Sequence, residues 1–418
     1  MTDAARAVAA AHEAEWAFVL AAAARVGGDL DVAEDCVQDA YAQALVHWAR
    51  SGVPAKPGAW LTTVATRRAL ELRRRAQTVA RKLPLLVPDP VDELPEAGAE
   101  FDEAGFPDER LRLVFTCCHP ALAAEARIAL TLRFVCGLST PEVARALLVS
   151  ETTMQARITR AKKKIAVTGI PYRVPSAAEL PERLASVLDV VHLVYTSGYT
   201  AASGAELTRP ELAGRGIRLA RMLHEVLPAE GEVAGLLALL LLTEARRAAR
   251  ADAAGALVLL EDQDRTRWNR EQIAEGQALV ESALRHPPVG RYALMAAIAA
   301  LHDEAASWGE TDWPQILALY ELLLARWPSP VVALNRAVAL SFVDGPAAAL
   351  AAVDELAEVP ALAVYPYLAA TRADLLRRLG EADAAAEAYR EAALLTANEV
   401  EAAFLERRLA ELGELGAR

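Results

Sequence analysis

The feature that most limits what this 418-residue chain can fold into is an absence: long Val-, Ile- and Thr-rich runs alternating with polar residues are scarce. Ala, Leu, Glu and Arg dominate instead. These are strong helix formers, and without a period-two pattern there is little to build a sheet from. The expected fold class is therefore all-α. Hydrophobic residues make up 54% of the chain. A chain this long and this apolar can bury a substantial core, which excludes global disorder. The length alone predicts two to three domains.

The N-terminal stretch carries His12, Glu13 and Glu15 among its alanines, unlike a signal peptide with a basic start and apolar middle. The longest apolar run, Val233–Thr243, is bracketed by Glu232 and Glu244. It falls far short of the roughly 20 residues a bilayer requires. The four cysteines, Cys36, Cys117, Cys118 and Cys136, do not make a disulfide framework in a chain of this size. A soluble, cytoplasmic protein with no membrane partner is expected.

The formal net charge of −12 hides an asymmetry. Residues 1–172 carry 21 basic and 21 acidic side chains, but nine of those acids lie in Asp89–Glu109, which holds no Lys or Arg. Outside that segment the N-terminal part is +9, while residues 173–418 are −12. Basic islands on helices fit a polyanion partner, although solvated helix faces give the same pattern.

Punctuation divides the chain. Glu13–Arg25 and Asp31–Trp48 read as helices, Ser51–Gly58 as a loop with two prolines and two glycines, and Ala59–Arg75 as a helix ending in Arg73, Arg74 and Arg75. Residues 84–107 contain five prolines and two glycines and read as a flexible acidic linker. Asp108–Cys118, Ala121–Cys136, Ser139–Leu148 and Glu151–Lys164 follow as helices. Ser139 with Glu142 three residues on has capping-box spacing. Two short helices, a tight turn at Val149–Ser150 and a basic second helix describe a helix-turn-helix. Ala144 and Val149 would be its packing positions. Glu151, Thr152, Thr153, Gln155 and Arg157 would lie toward base edges, with Arg160, Lys162, Lys163 and Lys164 on the phosphate backbone. Residues 173–418 read as weakly repetitive helices. Gly345 and Gly380 lie 35 residues apart, close to the tetratricopeptide (TPR) period. A non-repetitive helical bundle is the alternative.

Three segments in this order resemble extracytoplasmic-function (ECF) sigma factors of the sigma-70 family. Val32-Ala33-Glu34-Asp35-Cys36-Val37-Gln38-Asp39-Ala40-Tyr41 is similar to the first region 2 helix. Pro57-Gly58-Ala59-Trp60-Leu61-Thr62-Thr63-Val64-Ala65 is similar to the next, and Leu138–Lys164 to region 4. Val32 stands where the family has an Asp, with Asp31 adjacent, and Thr66 where it often has Arg. Phe115–Pro120, Tyr195–Thr200, Leu260–Arg265 and Pro330–Val338 resemble signatures of the ECF group numbered 42, whose members carry TPR extensions.

The resemblance implies a domain order: region 2 over residues 1–80, a linker over 81–107, region 4 over 108–170, a helical domain over 180–305 and TPR-like repeats over 306–414. It implies core RNA polymerase as partner, through the β′ coiled coil and the β flap, and promoter DNA as ligand. Asp35, Gln38, Asp39 and Tyr41 would face polymerase. Trp60, Arg67, Arg68, Arg73, Arg74 and Arg75 would lie toward the −10 element, and the loop Ser51–Gly58 would capture a flipped base. The basic helix would read the −35 element in the major groove with Thr153, Gln155, Arg157 and Arg160. The C-terminal extension would contact a protein or the rest of the chain and control activity.

No covalent chemistry is expected. The chain has no Gly-rich phosphate loop, no HExxH and no Gly-x-Ser-x-Gly. Glu261, Asp262 and Asp264 beside Arg265 and Arg267 read as a charge network fixing helices. Cys117, Cys118, His119 and Cys136 lack zinc-ligand spacing and read as buried thiols, so neither metal nor cofactor is expected. The alternative function is a TPR-containing helix-turn-helix regulator that binds DNA without joining polymerase.

Overall fold

The computed structural model describes residues 3–82, 109–201, 203–285 and 287–416. Among them there is no strand, only the isolated bridges Gly204–Asn398 and Ala251–Leu257. The expected all-α class is what the chain adopts. Two compact units divide at Val190 and Val191.

The first unit opens with α1 (Asp3–Gly27), α2 (Leu30–Ser51) and α3 (Pro57–Lys82), all three packed on one another. Asp29 caps α2 by accepting the Asp31 and Val32 amides at 2.7 and 3.1 Å, which satisfies two of the helix's free donors. Trp16, Leu20, Val37, Ala40, Leu61 and Ala65 form part of the buried centre. Ala65 and Ala69 are fully buried on α3, where small side chains let the helices approach closely. α3 begins at Pro57, a residue suited to a first helical turn, and continues past Arg75 because no Gly or Pro intervenes before Pro84. The linker expected over 81–107 lies outside the described residues, apart from Arg81 and Lys82 at the end of α3.

Four shorter helices follow: α4 (Glu109–Cys117), α5 (Ala124–Leu130), α6 (Thr140–Ala146) and α7 (Glu151–Val167). The single helix expected over Ala121–Cys136 is interrupted. Its first residues form a turn after Pro120, and Thr131–Val135 widens into a π turn in which the Cys136 amide reaches back to the Thr131 carbonyl at 3.0 Å. Gly137 ends it at a φ of +71°, a conformation glycine adopts without strain. The helix α8 (Leu180–Tyr199) begins in the first unit and ends in the second.

No single helix among the described residues is long and apolar enough to cross a membrane. The Val233–Thr243 run lies in α10 (Gly231–Ala245), which follows α9 (Pro210–Val226). It is buried from Val233 to Leu242. A helix apolar on every side belongs at the centre of a protein, and α10 packs on α9, α11 (Arg270–Leu284) and α12 (Arg291–Glu304). The Tyr195–Thr200 segment straddles the end of α8. A Cβ on its Gly198 would sit 2.2 Å from the Ala213 amide of α9, so the glycine is there to let two backbones meet. Arg265 donates to the His302 and Ala305 carbonyls, each at 2.7 Å, and closes the end of α12. Arg246 lies 3.4 Å from Asp303, whose burial pushes its carboxyl up to about 6. Within the Leu260–Arg267 stretch, Arg265 thus closes a helix end and Asp264 accepts the Thr266 amide at 2.9 Å.

Six further helices complete the chain: α13 (Trp313–Arg326), α14 (Pro330–Val343), α15 (Pro346–Ala357), α16 (Pro366–Leu379), α17 (Ala382–Leu395) and α18 (Glu399–Gly416). Each packs on its neighbours in the chain. Gly345 lies between α14 and α15 and Gly380 between α16 and α17, with φ of +89° and +83°, but their turns differ: Gly345 precedes α15 with a ψ of 166°, whereas Gly380 ends α16 in the left-handed conformation with a ψ of 9°.

Candidate nucleic-acid interface

The α6–turn–α7 segment is assembled by local chemistry. The Glu142 amide donates to Ser139 Oγ at 3.4 Å and the Ser139 amide to Glu142 Oε2 at 2.7 Å, completing the capping box. The turn closes through the Val149 amide on the Ala144 carbonyl at 3.0 Å, with Leu148 at a φ of +55°. Ser150 then caps α7, its Oγ accepting the Thr153 amide at 3.2 Å. Met154, Ile158 and Ala161 are buried, and this three-and-four spacing fixes which way α7 is turned.

That rotation sorts the expected DNA contacts into groups. Thr153, Arg157, Arg160 and Lys164 recur at the spacing of one flank, with Thr153 and Arg160 exposed and Arg157 half-buried. Gln155 and Lys162 lie on the opposite flank. The crest between them is Thr152, Ala156, Thr159 and Lys163, all exposed. Lys162 is engaged in an ion pair with Asp31 of α2, and Lys164 Nζ donates to the Ala121 carbonyl. Of the three lysines expected on phosphates, only Lys163 has no partner among the described residues. Thr159, on the crest, was not among the expected contacts; only the buried stripe at 154, 158 and 161 reveals that it faces outward.

On α2, Ala33, Cys36, Val37, Ala40, Ala44 and Trp48 turn inward. Asp35, Gln38 and Asp39 therefore share one exposed face, continued by exposed Ala42 and Val46. Tyr41 does not join that face. It is 7% exposed, donates its hydroxyl to the Ala11 carbonyl at 3.2 Å and packs with the His12 and Trp16 rings. Burial, with Glu15 adding to it, holds its phenol above the usual tyrosine range. The aromatic residue of the motif is a core residue here because α2 brings position 41 round toward α1. Gln38 Nε2 donates to Glu34 Oε1 at 3.1 Å, and Glu34 is itself buried against Arg133. Neither Glu34 nor Arg133 was expected at the site, since a buried cross-chain pair leaves no local sequence pattern.

On α3, Trp60 is half-buried, its ring stacked on His47 and edge-on to Trp48, each 5.7 Å between centroids. Arg67, Arg73 and Arg74 are exposed and have no partner among the described residues. Arg68 and Arg75 share the Glu71 carboxylate at 2.9 and 2.5 Å, and Arg68 lies 3.7 Å from Asp39. One acid thus offsets two of the five arginines expected near the −10 element. Val53, Ala55 and Lys56 in the preceding loop are exposed.

The cysteines take no part. Cys36, Cys117 and Cys118 are buried free thiols. Burial raises the Cys118 thiol to about 11 despite a hydrogen bond with Thr131 that opposes it. The carbonyls beside them matter more. Arg183 Nη2 donates to the Phe115 carbonyl and Ser186 Oγ to the Cys118 carbonyl, both at 2.7 Å. The first turns of α8 thus cap the end of α4.

Residues 13–79 match the family Sigma-70 region 2, and residues 112–165 match Sigma-70, region 4. Residues 183–284 match a family of unknown function, DUF6596. An uncharacterized protein of Rhizobium meliloti (strain 1021) is 45% identical over 385 residues, which cover 92% of this chain and 90% of that protein. No solved structure matches. The region 2 match spans α1 to α3, and the region 4 match ends within α7. The order of these two matches, with the capped helix-turn-helix inside the second, places the chain in the sigma-70 family of transcription-initiation factors.

Proposed function

We propose that this is an ECF-type sigma factor that binds core RNA polymerase through α2, reads the −35 element with α7, and helps open the −10 element with α3 and the loop before it. The observation that carries this reading is the outward face of α2. Asp35, Gln38 and Asp39 stand exposed on a helix whose other side is fully committed to the core. An acidic face of this kind complements a basic coiled coil. On α7, Arg160 and Lys163 are exposed and supply the salt-dependent attraction to phosphates. Arg67, Arg73 and Arg74 do the same on α3, where opened single strand is held by cationic grooves and stacking.

The helices from α8 onward form a regulatory extension, with a helical domain over residues 180–305 and TPR-like repeats over 306–414. The recurrence of a positive-φ glycine between paired helices at Gly345 and Gly380 supports the repeat reading.

Arg157→Ala is expected to relax selectivity at one −35 position and to cost about 1–3 kcal/mol in binding. Unchanged selectivity in a binding-site selection would assign Arg157 to packing. Lys163→Ala is expected to weaken binding to every sequence alike and to lower the salt slope by about one. A sequence-dependent loss would contradict that role. Tyr41→Phe removes one buried hydrogen bond, so a loss of about 1 kcal/mol in unfolding free energy is expected, with affinity for core polymerase unchanged. Reduced affinity in a folded variant would return Tyr41 to the polymerase interface.

A further inference from the structure

One buried ion pair of the second unit lacks the hydrogen bonds that such a pair needs. Asp303, in the last turn of α12, is 3% exposed, and Arg246, just after α10, is 8% exposed. Their closest approach is 3.4 Å, from Arg246 Nε to Asp303 Oδ1. Arg246 Nε and both Asp303 oxygens are buried with no hydrogen-bond partner among the described residues. Arg265 is the third member. Its Nη1 is committed to the His302 and Ala305 carbonyls, and its guanidinium lies 4.4 Å over the Trp268 ring. Its Nη2 is buried without a partner. The positive charges of Arg246 and Arg265 both act on the Asp303 carboxyl.

A buried ion pair offsets its desolvation only when hydrogen bonds satisfy the remaining lone pairs and N–H groups. Nearly all buried polar atoms of folded proteins are paired. Here the open donors sit on arginines and the open acceptors on one carboxylate. His302, the next residue along α12, supplies no charge, because burial and the two arginines hold its imidazole down to about 3. The cluster therefore presents two guanidiniums against one carboxylate.

We propose that this cluster binds a free α-amino acid, whose carboxylate accepts from Arg246 Nε and Arg265 Nη2 and whose ammonium donates to Asp303. The charges select the class of ligand. A simple anion would meet the Asp303 carboxylate, and a simple amine would meet two guanidiniums. A zwitterion meets each group with the opposite charge, and charge-assisted hydrogen bonds are the strong ones. Arg265 lies in a short 3-10 turn between α10 and α11, and its neighbours Asp264, Thr266 and Arg267 are exposed. Solvent is thus one residue away from the cluster along the chain.

The test heats the full-length chain with each of the common L-α-amino acids in turn. At least one is expected to raise the unfolding midpoint, by about 3 °C when present at about ten times its Kd. In calorimetric titration, the des-amino acid and the decarboxylated amine of that same compound are expected to bind at least about tenfold more weakly. Asp303→Asn keeps the shape of the side chain and is expected to weaken amino-acid binding by about tenfold or more. Arg246→Lys keeps the charge, loses the planar fork and is expected to do the same. No stabilisation by any amino acid would overturn the site and leave a cluster bridged by water. Equal binding of the des-amino acid or the amine would overturn recognition of a zwitterion. Unchanged affinity in a folded D303N would place the bound amino acid elsewhere; should D303N fail to fold, a folded R246K is read in the same way. None of these measurements involves polymerase or DNA, so their outcome is separate from that of the sigma-factor reading.

Discussion

A fragment ending at Tyr172 is expected to lose a stably folded region 4 and, with it, promoter-dependent activity. The cause lies at the end of α4. The Phe115 and Cys118 carbonyls take their donors from Arg183 and Ser186, both beyond the cut. The Ser186 bond contributes about 1 kcal/mol and the Arg183 bond, with its charged donor, about 1.5–3 kcal/mol. Together they are a substantial share of the roughly 5–15 kcal/mol that keeps a domain folded. The compact unit itself continues to Val190, and Val174 and Leu184 are buried residues the fragment would also lack. In the full-length chain, Arg183→Ala is expected to reproduce part of the loss, about 1–3 kcal/mol, in thermal or denaturant unfolding. A 1–172 fragment that unfolds at the same midpoint as the full chain, and transcribes as well, would show that the extension contributes nothing to region 4.

The second large effect is expected on α2. Replacing both Asp35 and Asp39 by Arg turns an acidic face into a basic one while leaving the buried side of the helix untouched. Placing like charges against a basic partner costs several kcal/mol. A fall of about 100-fold or more in core-polymerase affinity is expected, corresponding to roughly 3 kcal/mol, and it should be steepest at low salt. The Asp39 change also removes the neighbour of Arg68 at 3.7 Å. That pair is exposed, so its own loss contributes little to stability. Undiminished affinity in the folded double variant would remove α2 from the polymerase interface.

How much of this was readable from the residues alone follows from which interactions are local. The helices around Ser139, Ser150 and Asp29 were legible because each start is set by a cap within three residues. The all-helical class was legible from composition. The π turn at Thr131–Val135 was not, because an extra residue inside a helix leaves no change in apolar spacing that a single sequence resolves. Tyr41 shows the limit of a motif. Its place in the resemblance put it with Asp35, Gln38 and Asp39, whereas rotation of the helix buries it against α1. Lys162, Glu34 and Arg133 show the limit of proximity along the chain. Asp31 and Lys162 are separated by 131 positions, and only the packed unit brings such partners together. The capping of α4 by Arg183 and Ser186 is of the same kind, joining groups 68 positions apart.

The central claim, that this chain directs polymerase to promoters, is tested most directly by in vitro transcription with core polymerase from the same source, the full-length chain and a genomic promoter library. Transcripts that start at specific promoters, require the added protein and disappear with the Asp35 and Asp39 reversal are the predicted result. Sequence-specific DNA binding by α7 with no transcripts from any promoter and no association with core polymerase would contradict it, and would make the protein a helix-turn-helix regulator that acts without becoming a polymerase subunit.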